Sequence, residues 1–134
     1  MVKDAYTEIQ QRIGAADDKA PNPLRGALAD LFVNHPAVRP HDLCDPAKAK
    51  MIRYRLANGR SLGHQIETSP QHLWFASDDR LVLPATARPY PVTEGGKGRH
   101  SNVNQMPDLR DQAVTRVTVQ TVEEAEILLN ALLA

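Results

Sequence analysis

The period of hydrophobicity changes at Met51, and that change confines the fold more than any other feature of the chain. Ile52, Tyr54 and Leu56 alternate with Arg53 and Arg55, and beyond Asn58-Gly59 the residues Leu62, His64 and Ile66 alternate again. A period of two places successive side chains on opposite faces of a strand. Asn-Gly between two such runs marks a hairpin. Burial then selects the register. A two-residue Asn58-Gly59 turn pairs Arg55 with Leu62, and neither face is cleanly apolar. A three-residue loop, Ala57-Asn58-Gly59, pairs Leu56 with Arg60, Tyr54 with Leu62 and Ile52 with His64. One face then is apolar and the other carries Arg53, Arg55, Ser61 and Gln65. A one-residue slip flips every side chain, so the second register is expected, with a type I turn closed by a left-handed glycine.

The flanking sequence reads as helix before and mixed structure after. Tyr6, Ile9 and Ile13 mark one face of a helix over residues 5–16, with Asp4 as its cap. Asn22-Pro23 is a cap followed by proline at the first helical position, where the missing N–H costs nothing. Leu24, Leu28, Leu31 and Phe32 are the stripe of this second helix, which Pro36 stops. Asp45-Pro46 repeats the cap signal for a short turn. After the hairpin, Gln71 to Ala76 is a third strand with His72 and Trp74 on one side. Leu81-Val82-Leu83 is a short fourth strand, and Val114 to Gln120 a further one. Thr121-Val122-Glu123-Glu124 is a capping box that opens a helix carrying Val122, Ala125, Leu128, Leu129, Leu132 and Leu133. The expected fold is α+β over residues 1–134. It is a single domain: an antiparallel meander of four to five strands, with two N-terminal helices and one C-terminal helix packed on one face. Residues 84–113, rich in proline and glycine, are expected to form a long irregular loop, with room for a short helical turn after Pro107, of the kind that is usually functional or disordered.

Composition limits the setting. The chain has 134 residues and one cysteine, Cys44, so no internal disulfide forms. No run approaches the apolar length of a membrane span, and the polar start has no signal-peptide character. A cytoplasmic location without membrane attachment is expected. Sixteen basic and sixteen acidic residues cancel. That excludes a uniformly basic surface of the histone kind. The cancellation is uneven: residues 1–47 sum to −2, residues 48–116 to +5 and residues 117–134 to −3.

Two groups in the basic middle point to an anion. Gly95-Gly96-Lys97-Gly98-Arg99-His100-Ser101-Asn102 joins a free backbone to two cations and to the neutral hydrogen-bonding groups of Ser101 and Asn102. Such a composition suits phosphate or carboxylate, although its spacing is not that of a phosphate-binding P-loop. The polar sheet face gathers Arg53, Arg55, His72 and Trp74, cations beside an aromatic that suit a phosphate chain and a base. A fold of the long segment over that face joins Arg99 and His100 to Arg53 and Trp74 in one pocket. The bland alternatives are a solvated glycine-rich loop and a tryptophan buried as ordinary core.

His41-Asp42-Leu43-Cys44-Asp45 contains metal-ligand types without a second pair at zinc-site spacing, so no metal and no cofactor is expected. His64 falls on the core face and reads as a structural histidine. His100, beside Arg99, is the acid/base candidate.

Three readings follow. The favoured one is a small module binding an anionic partner, nucleic acid first and DNA by name, through the basic sheet face and the Gly/Arg/His loop. The second is an enzyme acting on a phosphate- or carboxylate-bearing substrate with His100 as acid/base. The third is a protein-interaction or homodimerising module using Leu129 and Leu133 or an exposed edge strand.

Overall fold

A computed structural model of the chain describes residues 5–41, 50–93, 98–104 and 106–134. Two helices open it, α1 (Ala5–Lys19) and α2 (Pro23–Asn34), followed by strands β1 (Val38–His41), β2 (Met51–Leu56), β3 (Ser61–Gln65) and β4 (Gln71–Ala76). Strand β5 (Arg88–Tyr90) and the single-turn helices α3 (Ser101–Asn104) and α4 (Pro107–Arg110) precede β6 (Val114–Val119) and α5 (Val122–Leu133). All strands join one antiparallel sheet in the order β1-β2-β3-β4-β6-β5. The α+β class and the packing of the long helices on one face are as the sequence indicates.

The hairpin takes the register that burial selects. Ile52 faces His64 and Tyr54 faces Leu62. Leu56 N–H donates to the Arg60 carbonyl at 2.8 Å, and Gly59 closes the turn at φ +91°. The caps at Asn22 and Thr121 form as expected, while Asp4, assigned as the cap of α1, lies outside the described residues. Asn22 Oδ1 accepts from the Leu24 N–H at 3.0 Å, and Thr121 Oγ1 accepts from the Glu124 N–H at 3.1 Å. The Glu124 carboxylate reaches back to the Gln120 N–H at 3.3 Å, so the box closes one residue early.

The helix-side core joins Ile9, Leu28, Phe32, Ile52, Tyr54, Leu62, Phe75, Val117, Leu128 and Leu132, all buried. Burying side chains of this size contributes roughly 1.5–3 kcal/mol each before entropy is counted. Tyr6, assigned to the apolar face of α1, is instead 43% exposed. Ala5 beside it packs on the core in its place.

Two expectations are corrected. Leu81–Leu83 is not a strand: the place beside β4 belongs to β6, which pairs with it at six positions from Gln71↔Val119 to Ala76↔Val114. Leu81 and Leu83 still pack on the helix-side core, while Val82 is 92% exposed. The segment 84–113 is also not one irregular loop. It supplies edge strand β5, and α3 and α4 then cover the polar sheet face. There Met51, Trp74, Val103, Met106, Leu109 and Val114 form a second buried cluster. An antiparallel sheet with one wet face needs no such cover. This sheet has helices on both faces. The turn expected at Asp45-Pro46 lies outside the described residues.

Gly63 is the floor of the second cluster. A Cβ there would sit 2.5 Å from Met51 Sδ and 3.6 Å from the Trp74 Cβ. Met51 is fully buried, so its sulfur has little room to retreat. Gly63→Ala is expected to destabilise the fold by about 1–3 kcal/mol through overpacking. Chemical denaturation would measure the loss, and an unchanged midpoint would contradict this account of the cluster.

Candidate functional site

The second sheet face is ordered by cross-strand rows. His41, Arg53, Gly63, Trp74, Arg116 and Arg88 lie opposite one another across all six strands. The next row holds Met51, Gln65, His72 and Thr118. Residues opposite one another in an antiparallel pair share a face, so both rows point toward α3 and α4 or toward solvent beside them.

The two rows meet at a square on β4 and β6 formed by His72, Trp74, Arg116 and Thr118. A ring nitrogen of His72, Nδ1, is hydrogen-bonded to Thr118 Oγ1 at 2.8 Å. The Arg116 guanidinium lies over the Trp74 ring at 6.0 Å and over the Tyr90 ring at 5.7 Å. Arg88 stands over Tyr90 at 5.1 Å. Trp74 and Tyr90 are themselves in ring contact at 5.0 Å. Cations at such distances are held by the ring quadrupole.

The segment after Gly98 delivers His100 to this square, with ring centroids 6.4 Å from Trp74. His100 Nε2 meets Glu67 Oε1 at 2.5 Å. A chain of side chains holds that carboxylate in place. Trp74 Nε1–H donates to Gln65 Oε1 at 2.9 Å, Gln65 Nε2–H donates to Glu67 Oε1 at 3.3 Å, and Lys50 Nζ lies 3.7 Å from Glu67 Oε2. Burial first, then Arg116 and His100, lowers the pKa of His72, so its imidazole is neutral at neutral pH.

The residues singled out in the sequence separate into distinct roles here. His72, Trp74 and His100 are brought together. Trp74 is only 2% exposed and forms the packed base of the square rather than an open stacking platform. Arg53 is buried beneath the α3–α4 cover, and Arg55 lies between the Gly59 carbonyl (3.2 Å) and the Asp108 carboxylate (3.8 Å). Arg99 is buried, and it donates to the Arg110 carbonyl at 3.0 Å and the Leu109 carbonyl at 2.6 Å. These bonds satisfy the last carbonyls of α4, as basic residues do at helix C-termini. Lys97 lies outside the described residues, as do the side chains of Ser101 and Asn102. Asp42, Cys44 and Asp45 also lie outside them, and the described residues contain no group of three or more metal-ligating side chains.

Sequence reasoning passed over Arg88, Tyr90, Arg116 and Glu67. Arg116 alternates with Val117 and Val119 on β6, so its face was legible. Its position opposite Trp74 depends on the strand order, which no local pattern reveals. Comparison with protein-family models, with curated proteins and with solved structures finds no match for this chain.

Proposed function

We propose that the chain is a binding module for an anionic partner, a nucleic-acid strand, which it takes along the β4–β6–β5 flank of the second sheet face. The observation that supports this reading is the pair Arg88 and Arg116. They stand opposite one another on β5 and β6, and neither has a carboxylate partner among the described residues. Arg12, Arg25, Arg55, Arg60, Arg80 and Arg110 each have an acidic neighbour within salt-bridge reach. The acidic C-terminal helix packs on the other face of the sheet, so it does not neutralise this flank. Two guanidiniums beside an aromatic ring suit a phosphate backbone with bases next to it. The centre of the face is covered, which narrows the basic-face reading from a platform to this flank and to His72 and His100 at its side.

The test is a salt titration of binding to a fluorescent single-stranded oligonucleotide. Affinity is expected to fall linearly on logarithmic axes as salt rises. The double variant Arg88→Ala/Arg116→Ala is expected to reduce that slope by about 1.4, from about 0.7 per lost single-strand phosphate contact. Superimposable titrations of the variant and the parent chain would refute the reading.

A further inference from the structure

The chemistry of the square goes further than binding. We propose that His72, Arg116 and the His100–Glu67 pair cleave a single-stranded RNA phosphodiester, with the substrate's own 2′-hydroxyl as the nucleophile. This inference rests on the nucleic-acid reading and assigns a reaction to the same flank.

Three observations carry it. First, Thr118 orients the His72 imidazole through Nδ1, and Nε2 makes no hydrogen bond among the described residues. In the tautomer that donates Nδ1–H to Thr118 Oγ1, Nε2 presents a lone pair, as a general base requires. Second, His100 and Glu67 share a hydrogen bond of 2.5 Å on the square's flank, and Trp74, Gln65 and Lys50 position them. In its protonated form His100 can give a proton to a leaving oxygen, and the Glu67 contact holds its ring in place. Third, Arg116 is adjacent to both His72 and Trp74 in the sheet, and its buried Nε has no partner among the described residues. An unsatisfied guanidinium beside a base and an acid is placed for the charge that builds on a phosphorane.

The step balances. His72 Nε2 takes the 2′-hydroxyl proton as the 2′-oxygen attacks phosphorus. The P–O2′ bond forms and the P–O5′ bond breaks. The 5′-oxygen leaves with a proton from the His100 imidazolium, which becomes a neutral imidazole beside the Glu67 carboxylate, and the products are a 2′,3′-cyclic phosphate and a free 5′-hydroxyl. The nucleophile comes with the substrate, so the reaction requires the 2′-hydroxyl of RNA.

The experiment incubates the full chain with a labelled single-stranded RNA and with the all-deoxy strand of the same sequence. Products are read by gel and by mass, and binding by anisotropy. RNA cleavage with a cyclic-phosphate end and an intact DNA strand is the expected result. His72→Gln and His100→Gln, which keep an amide to bond Thr118 and Glu67, are each expected to lose about 100-fold or more in cleavage while still binding. RNA bound but left intact would overturn the cleavage proposal and leave the binding reading standing. Equal cleavage of the deoxy strand would overturn the 2′-hydroxyl mechanism. Binding to neither strand would overturn both readings, and cleavage unchanged in both variants would show that these histidines are not the site.

Discussion

Arg25→Met is expected to remove at least about 1.5–3 kcal/mol of stability, a large part of what a domain of this size has. Arg25 is fully buried although it lies on a helix. Its Nε–H donates to the Ile66 carbonyl at 2.8 Å, Nη1–H to the Ala20 carbonyl at 2.7 Å and Nη2–H to the Thr68 carbonyl at 3.0 Å. It also pairs with the Asp17 carboxylate. One guanidinium thus ties α2 to the end of α1 and to the β3–β4 turn. Methionine fills the volume but takes the Arg25 donor from the buried Ile66 carbonyl and from the part-buried Ala20 carbonyl, while the Thr68 carbonyl keeps the Gln71 Nε2–H at 3.0 Å; an orphaned buried acceptor costs about 1–3 kcal/mol. Lysine should recover only part of the loss, because an ammonium cannot match a planar fork that points in several directions. Urea denaturation of the two variants measures this. A loss below about 1 kcal/mol in Arg25→Met would show that the fork is not a structural tie.

The stability of the chain should fall as pH drops from about 6.5 toward 4, and His64 should be the main cause. Burial pushes its pKa from 6.5 down to about 4, with Arg25 acting in the same direction and the Gln71 hydrogen bond opposing it. Nε2 lies 2.7 Å from Gln71 Oε1, and the Phe32 ring is edge-on at 5.8 Å. The sign follows from where the proton binds. The folded chain keeps His64 neutral, while the unfolded chain protonates it below 6.5. Stability from the neutral form is therefore full above 6.5 and is lost on acidification until the folded pKa near 4 is reached. The loss across that window is about 3 kcal/mol. His72 contributes a slope of the same sign, so the comparison is with His64→Gln, which retains His72. Denaturation midpoints of the variant should be much flatter between pH 6.5 and 4. Parallel curves for the two proteins would remove His64 from the account.

The candidate site was partly legible. His72 and Trp74 share a face by strand alternation, and His100 reaches them if the long segment folds back, as it does. Arg53, Arg55 and Arg99 have the same composition-based appeal, but burial, Asp108 and the α4 carbonyls engage them. Charge type is readable from a sequence, whereas its satisfaction by a partner distant in the chain is not. Leu129 shows the same limit. It is buried in the helix-side core and Leu133 is half-buried against it, so the C-terminal helix offers no exposed leucine seam. Pro40 and Pro89 sit in the edge strands β1 and β5, where each removes a backbone donor. The buried status of Arg25 was readable in principle, because residues 25, 28, 29 and 32 form one helical stripe.

By itself, the sequence determined the hairpin register, the caps at Asn22 and Thr121 and the strand-then-helix ending. Each is a matter of neighbours a few residues apart, governed by side-chain alternation, turn chemistry and unsatisfied amides. Only the tertiary structure decided that β6 takes the place beside β4, that α3 and α4 cover the polar face, and that Arg116, His72 and His100 meet. Those outcomes depend on competition between segments far apart in the chain. Six paired positions on β6 outweigh the three residues of Leu81–Leu83, and a second apolar cluster around Trp74 draws the proline-rich segment down onto the sheet.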